Sequence, residues 1–257
     1  YVPQFRYQPL AFDSGMMRRN LARIPVDRIA DDGLARLYAR KRDELGYLLD
    51  MVESVGKPEF TWASRKLYGP DRSASETTFL EDAQHFASVD PEYEAATLTP
   101  RQAQKILQEC VDYYAGQAPF TCAVRIREHL SANAAAGEQS VVIRDHTLYN
   151  QNDVRAMAEH EISVHVLTAQ NGFSQPLKVF GAGLPGYLQD QEGYAIFSEY
   201  MLRVLSPNRL RMVGGRALAV DRMLRGMPFP RAFESLVEEY RFSLPDAFSI
   251  CERAYRL

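Results

Sequence analysis

The chain has 257 residues, long enough for one large domain with a substantial buried core. Hydrophobic residues make up 46% and charged residues 25%, ordinary values for a folded globular protein, which excludes a largely disordered chain. The net charge is −3 and the basic residues are scattered singly or in pairs such as Arg18-Arg19, so no basic stripe is available to track a phosphate backbone and nucleic acid is not expected as a partner.

Residues 1 to 30 read as irregular, because Pro3, Pro9 and Pro25 interrupt any helix. A long amphipathic helix is predicted from about Asp31 to Val55, with Leu34, Leu37, Tyr38, Leu45, Leu48 and Leu49 near helical spacing and Gly56-Lys57-Pro58 ending it. Residues 68 to 100, rich in Ser, Thr, Asp and Pro, read as surface loops with a short helix. Thr99-Pro100 is an N-cap followed by proline in the first turn, which starts a helix running to about Ala115.

The period then changes. Cys122-Ala123-Val124-Arg125-Ile126-Arg127 alternates apolar and charged residues, the pattern of a strand with one wet face. Gly137-Glu138-Gln139 turns the chain into a second strand, Ser140 to Arg144. Asp153 is expected to cap a helix that reaches about Gln170 and stops at Asn171-Gly172. A Gly- and Pro-rich loop (Gly181, Gly183, Pro185, Gly186) precedes a helix from about Gln189 to Val204. From Asn208 onward the chain reads as three helices, with separators at Gly214-Gly215, Gly226 to Pro230 and Ser243 to Pro245.

The three cysteines, Cys110, Cys122 and Cys251, are far apart and include no Cys-x-x-Cys pair, so they read as free thiols in a reducing, cytoplasmic protein. No signal peptide is visible at the start. No uncharged apolar run reaches the roughly 18 residues that spanning a membrane requires, so no membrane partner is expected.

One constellation carries chemistry. A zinc hydrolase needs two neutral imidazoles, a third protein ligand and a carboxylate that takes a proton from the attacking water. His160-Glu161-Ile162-Ser163-Val164-His165 supplies two imidazoles with a glutamate beside the first, and Gln191-Glu192-Gly193 on the next helix supplies an acidic third ligand. The spacing is unusual. On a regular helix four residues turn about 400° and share a face, whereas five turn about 500° and swing the second ring some 140° away. For His160 and His165 to hold one ion, the helix must absorb an extra residue, most simply as a π-bulge across Ile162-Ser163-Val164. Three ligands, His160, His165 and Glu192, leave a fourth position open, the mark of a catalytic rather than a structural site. Glu161 is the expected general base. Glu199, seven residues after Glu192, is placed either to orient a ligand histidine or to form a salt bridge. Tyr194 and Tyr255 are candidates for stabilising an oxyanion.

At these residues the sequence resembles the bacterial proteins named for a Gln-Glu-Gly-Leu-Ala motif, and equally their eukaryotic relatives, the microtubule-associated tyrosine carboxypeptidases. The matching stretches are His160-Glu161 to His165, Leu167-Thr168 with Asn171-Gly172, Gln175-Pro176-Leu177, Gly183-Leu184-Pro185-Gly186 and Gln191-Glu192-Gly193-Tyr194-Ala195. Ala219 to Met223, Gly226, Phe229 and Arg253-Ala254-Tyr255-Arg256 also look like the family. The resemblance implies a zinc carboxypeptidase that binds one Zn²⁺ through His160, His165 and Glu192, uses Glu161 as acid/base, and acts on a peptide or protein C-terminus. Tyr194 stands where the family usually has Leu.

A carboxypeptidase must also hold the terminal carboxylate, best with a bidentate arginine. Arg253 and Arg256 lie in a family-like stretch and Arg144 ends a strand near the site, so these three are the candidates. The strand Ser140 to Arg144 is a further expected element of the cleft, offering an edge to an extended substrate backbone. Two other functions use the same residues: an endopeptidase with an open cleft, and a non-catalytic regulatory or binding protein that keeps the metal. The expected fold is α+β and mostly helical, a gluzincin-like metallopeptidase core with a small sheet beside the metal-binding helix. Its organisation is read as a single domain over 1–257, mainly helical to residue 120, with the catalytic core and C-terminal helices in 121–257.

Overall fold

In the computed structural model, which describes residues 3–69, 76–130 and 132–256, the first helix begins inside the segment read as irregular. The side chain of Asp13 accepts the Met16 amide and starts α1 (Ser14–Ala22), a local cap that outweighs the surrounding prolines. A 3₁₀ turn (Val26–Arg28) leads to α2 (Asp32–Glu53), whose N-terminus is closed by Asp31 accepting from the Leu34 amide. Pro58 both follows the end of α2 and sits at the start of α3 (Glu59–Tyr68), because a helix tolerates proline where no amide is needed. Next come α4 (Glu76–Ser88) and α5 (Pro100–Ala115). The start of α5 is a full capping box: Thr99 accepts from the Gln102 amide, and Gln102 Oε1 accepts from the Thr99 amide at 2.9 Å.

Three strands follow, β1 (Ala123–Arg127), β2 (Ala134–Gly137) and β3 (Ser140–Arg144). A single long helix then changes pitch twice, as α6 (Gln151–Met157), a π-helix (Ala158–Val166) and α7 (Leu167–Ser174). The chain ends with α8 (Val179–Ala182), α9 (Tyr187–Met201), α10 (Pro207–Leu224), α11 (Phe229–Glu238) and α12 (Leu244–Tyr255). The protein is therefore mostly helical with one small sheet.

The chain forms two compact units, residues 1–91 with 207–257, and residues 92–206. In the first, α10 lies against α4. Gly214-Gly215, read from sequence as a break, is the contact itself: a Cβ on Gly214 would meet the Ala83 carbonyl oxygen at 2.5 Å. The helix runs through because the missing side chains admit another backbone. Arg211, buried on α10, donates to the carbonyls of Ala87 and Val89 (2.9 and 2.6 Å) and to those of Tyr240 and Arg241 (2.8 and 3.3 Å). Leu218, Phe229, Leu236 and Ile250 form the core beside it.

In the second unit the strand order is β1-β3-β2. β3 is central, parallel to β1 (Val124↔Val141) and antiparallel to β2 (Ala136↔Val141). Both sides of Ser140–Arg144 are thus occupied, and it offers no edge to a substrate, contrary to the sequence expectation. The error came from missing β2, whose Ala-Ala-Ala-Gly composition is among the least strand-like. Leu107 and Val111 of α5, Val141 and Ile143 of β3, and Val154, Ile162 and Val166 of the long helix close the core. That helix is capped by Asn150, which accepts the Asp153 amide at 2.6 Å, and not by Asp153, which instead accepts from Asn150 Nδ2. Nor does it stop at Asn171-Gly172. Gly172 is buried within α7, and a Cβ there would clash with the Phe180 carbonyl.

Candidate metal centre

The π-helix decides whether the two histidines can cooperate. Its amides bond five residues back, so residues five apart stack on one face. The distortion spans nine residues, Ala158–Val166, rather than a single bulge across Ile162–Val164. His160 and His165 are brought together by it, with ring centroids 4.7 Å apart and planes at 75°. Ile162 and Val166 stay fully buried in the core on the other side, so the apolar packing anchors the face that carries no chemistry.

Glu192 reaches the pair from α9. Its carboxylate lies 3.5 Å from His160 Nε2 through one oxygen and 3.4 Å from His165 Nε2 through the other. One ligand atom from each of the three residues lies within 4.8 Å of the others. The histidine side chains are 8% and 15% exposed and that of Glu192 is 57%, so the centre opens on the Glu192 side.

Behind His160 stands Glu199, 0% exposed, with Oε1 2.7 Å from His160 Nδ1. Of the two roles its spacing allowed, it takes the one that orients a histidine. A carboxylate at Nδ1 holds the proton on that nitrogen and turns the Nε2 lone pair towards Glu192. Glu192 and Glu199 share one face of α9 because seven residues are nearly two full turns.

These donors fit a zinc ion. Zinc sites take His nitrogen and carboxylate oxygen at roughly 2.0–2.2 Å in a tetrahedron, whose ligand-to-ligand edge is then about 3.3–3.5 Å. The two nitrogen-to-oxygen separations are of that size but run to different oxygens of Glu192, so the three side chains are gathered around one point rather than set in a finished tetrahedron.

A family model described as microtubule-associated tyrosine carboxypeptidase matches residues 1–256. The chain belongs to this family. None of the curated proteins matches it. Membership in the microtubule-associated tyrosine carboxypeptidase family suggests a carboxypeptidase-like activity on a peptide or protein. No helix among the described residues is long and apolar enough to cross a membrane.

The other residues singled out in this family member fall in different places. Glu161 is half-buried on the π-helix beside His160. Tyr194 is 59% exposed and lies two residues along α9 from Glu192, about 200° round the helix. That turns it away from the face of α9 that carries Glu192 and Glu199. Arg144 belongs to the same unit as His160, His165 and Glu192, and its Nε donates to the Leu130 carbonyl at 2.9 Å. Arg253, Tyr255 and Arg256 belong to the other unit. There Tyr255 donates to the Met227 carbonyl at 2.7 Å, and burial pushes its phenol up to about 12. Arg256 pairs with Glu252, and Arg253 is exposed.

Sequence reasoning missed the contribution of α5. Cys110, on α5, lies 3.8 Å from the hydroxyl of Ser163 on the π-helix, and Tyr114, one turn further along α5, is close enough to interact with the same side chain. A cysteine and a tyrosine four residues apart mark one helix face, but nothing in their types names its partner. The three cysteines are free thiols, as expected.

Proposed function

We propose that this chain is a zinc-dependent carboxypeptidase that removes a C-terminal residue from a peptide or protein by attack of water. His160, His165 and Glu192 hold one zinc ion, in a gluzincin-like arrangement. The observation that carries this reading is the pair of imidazole nitrogens facing one carboxylate at 3.5 and 3.4 Å, with a buried glutamate behind the first ring. Zinc bound there supplies Lewis acidity, acidifying a water and polarising the scissile carbonyl. Glu161 accepts the proton of the attacking water and passes it to the leaving amine. Glu199 keeps His160 in the tautomer that ligates and stabilises any positive charge the ring gains. Ile162 and Val166, packed in the core, keep water from the back of the site.

The terminal carboxylate of the substrate calls for a cation, and Arg144, in the same unit as His160, His165 and Glu192, is the candidate carried forward. The family's name pairs it with release of tyrosine, so peptides ending in Tyr head the test panel. The test incubates the zinc-loaded full chain with a peptide pool, half of it C-terminally amidated, and follows it by mass spectrometry. Loss of one residue from the free acids alone supports the carboxypeptidase. Internal cuts in both halves overturn it in favour of an endopeptidase, and a zinc-loaded chain that cuts none of the peptides, including those ending in Tyr, counts against catalysis.

A further inference from the structure

The π register itself requires an explanation, because a helix left alone reverts to the tighter α pitch. We infer that Ser163, bonded back to the Ala158 carbonyl and contacted from α5 by Cys110, is a positioning residue that holds the π register and thereby sets the spacing of His160 and His165. This inference rests on the metal reading above.

Serine in a regular helix commonly back-bonds to the carbonyl four residues earlier. Here the Ser163 hydroxyl reaches the carbonyl of Ala158, five residues earlier, at 3.5 Å. That is the acceptor of the π register, so the side chain and the i→i+5 pattern agree. A further group reaches the same hydroxyl from α5, Cys110 Sγ at 3.8 Å, and the Tyr114 phenol lies close enough to interact with it. Each contact is long or weak alone, and their convergence on one residue between the two histidines is what matters.

The support is rigid. Cys110 and Tyr114 lie four apart on α5, hence on one face. Leu107 and Val111 of α5 lie in the core, and Gln104 Nε2 donates to the Val124 carbonyl of β1 at 2.8 Å. Both ends of the long helix are also fastened. Asn150 caps its start, and Gln170 exchanges hydrogen bonds with the Thr121 backbone, accepting at 3.0 Å and donating at 2.6 Å. A slip from π to α register therefore cannot be absorbed by the helix ends. It would leave Ser163 off its α5 partners and rotate His165 relative to His160 by about one residue, roughly 100°.

The experiment compares the wild-type chain with Ser163→Ala, Ser163→Thr and Tyr114→Phe, using three readouts. These are hydrogen exchange of residues 158–166 in the metal-free protein, zinc affinity by chelator competition, and the visible ligand-field spectrum with Co²⁺ in place of zinc. Ser163→Ala is expected to speed exchange in that segment about tenfold. It should also weaken zinc about 10–100-fold, the range for losing a group that orients a ligand, and change the cobalt spectrum. Ser163→Thr, which keeps the hydroxyl, should restore all three, and Tyr114→Phe should move them in the direction of Ser163→Ala by less. Wild-type exchange, affinity and spectrum in Ser163→Ala would overturn the inference, as would a Ser163→Thr that behaves like Ser163→Ala. If Ser163→Ala does not fold, unchanged exchange in Tyr114→Phe overturns it instead. A wild-type chain that takes up neither zinc nor cobalt defeats the metal reading, and the exchange comparison still decides for or against the clamp.

Discussion

Among the described residues, the unit that carries the proposed metal centre holds two groups of acidic and histidine side chains close enough to share an ion: His160, His165 and Glu192, and Glu128, Asp145 and His146. Their composition is similar and their origins are not. The second group is a by-product of topology. β1 and β3 run parallel in register Arg127↔Arg144, so the residues just beyond each strand, Glu128 and Asp145, emerge side by side. His146 lies 3.8 and 3.9 Å from their carboxylates and is 76% exposed. Asp145 already accepts the His146 amide at 2.8 Å. In the first group the helix is deformed over nine residues to align two rings, and a fully buried carboxylate fixes one of them. Proximity is cheap at a sheet end. Orientation, burial and a supporting carboxylate are what separate a ligand set from a cluster.

That contrast is most severely tested by removing what only the first group possesses. His165→Ala is expected to abolish retention of zinc after dialysis, read by metal analysis, and peptidase activity with it. Retained stoichiometric zinc would mean that the π-helix aligns the rings for some other reason. Glu161→Gln should keep the zinc and lower kcat by about 10²–10⁴-fold, the usual worth of a positioned acid/base. Equal activity in this variant would remove Glu161 from the mechanism. Glu199→Gln keeps shape and hydrogen bonding but removes the charge behind His160. Zinc affinity should fall about 10–100-fold, measured by chelator competition, with smaller change in the fold because the amide is nearly isosteric.

The asymmetry between the two groups was only half legible in the amino-acid sequence. His160, His165 and Glu192 stood out because their types and spacing are rare together, and the spacing of five itself demanded a wide helical turn. The turn's extent was not legible, since Ala158–Val166 has no composition that distinguishes π from α pitch, and the pitch depends on α5 contacts made by residues some fifty positions earlier. Glu199 could be given two roles from its spacing, and only its burial against His160 chose between them. Capped starts such as Thr99-Pro100 were readable because capping is local. Gly214-Gly215 and Gly172 were misread for the converse reason: a glycine that ends a helix and one that admits a neighbouring backbone look alike until the neighbour is known. Glu128, Asp145 and His146 went unnoticed because strand pairing, not spacing, brings them together.

The smallest expected effect is at the second group, where the comparison predicts that nothing happens to the metal. His146 sits at φ 54°, in the left-handed region that favours glycine. A non-glycine residue there costs roughly 1–2 kcal/mol, while glycine gives back about 0.5–1 kcal/mol through its looser unfolded state. His146→Gly should therefore leave zinc at one ion per chain, with unchanged affinity and activity, and raise stability in a urea titration by about 0–1.5 kcal/mol. A second, weaker metal equivalent in the wild type that disappears in His146→Gly would break the comparison, because an exposed cluster assembled by strand register would then bind without a supporting carboxylate. Unchanged stoichiometry with increased stability would sharpen it: the imidazole at residue 146 would be tolerated rather than used, and the difference between the two groups would reduce to what stands behind the ligand atoms.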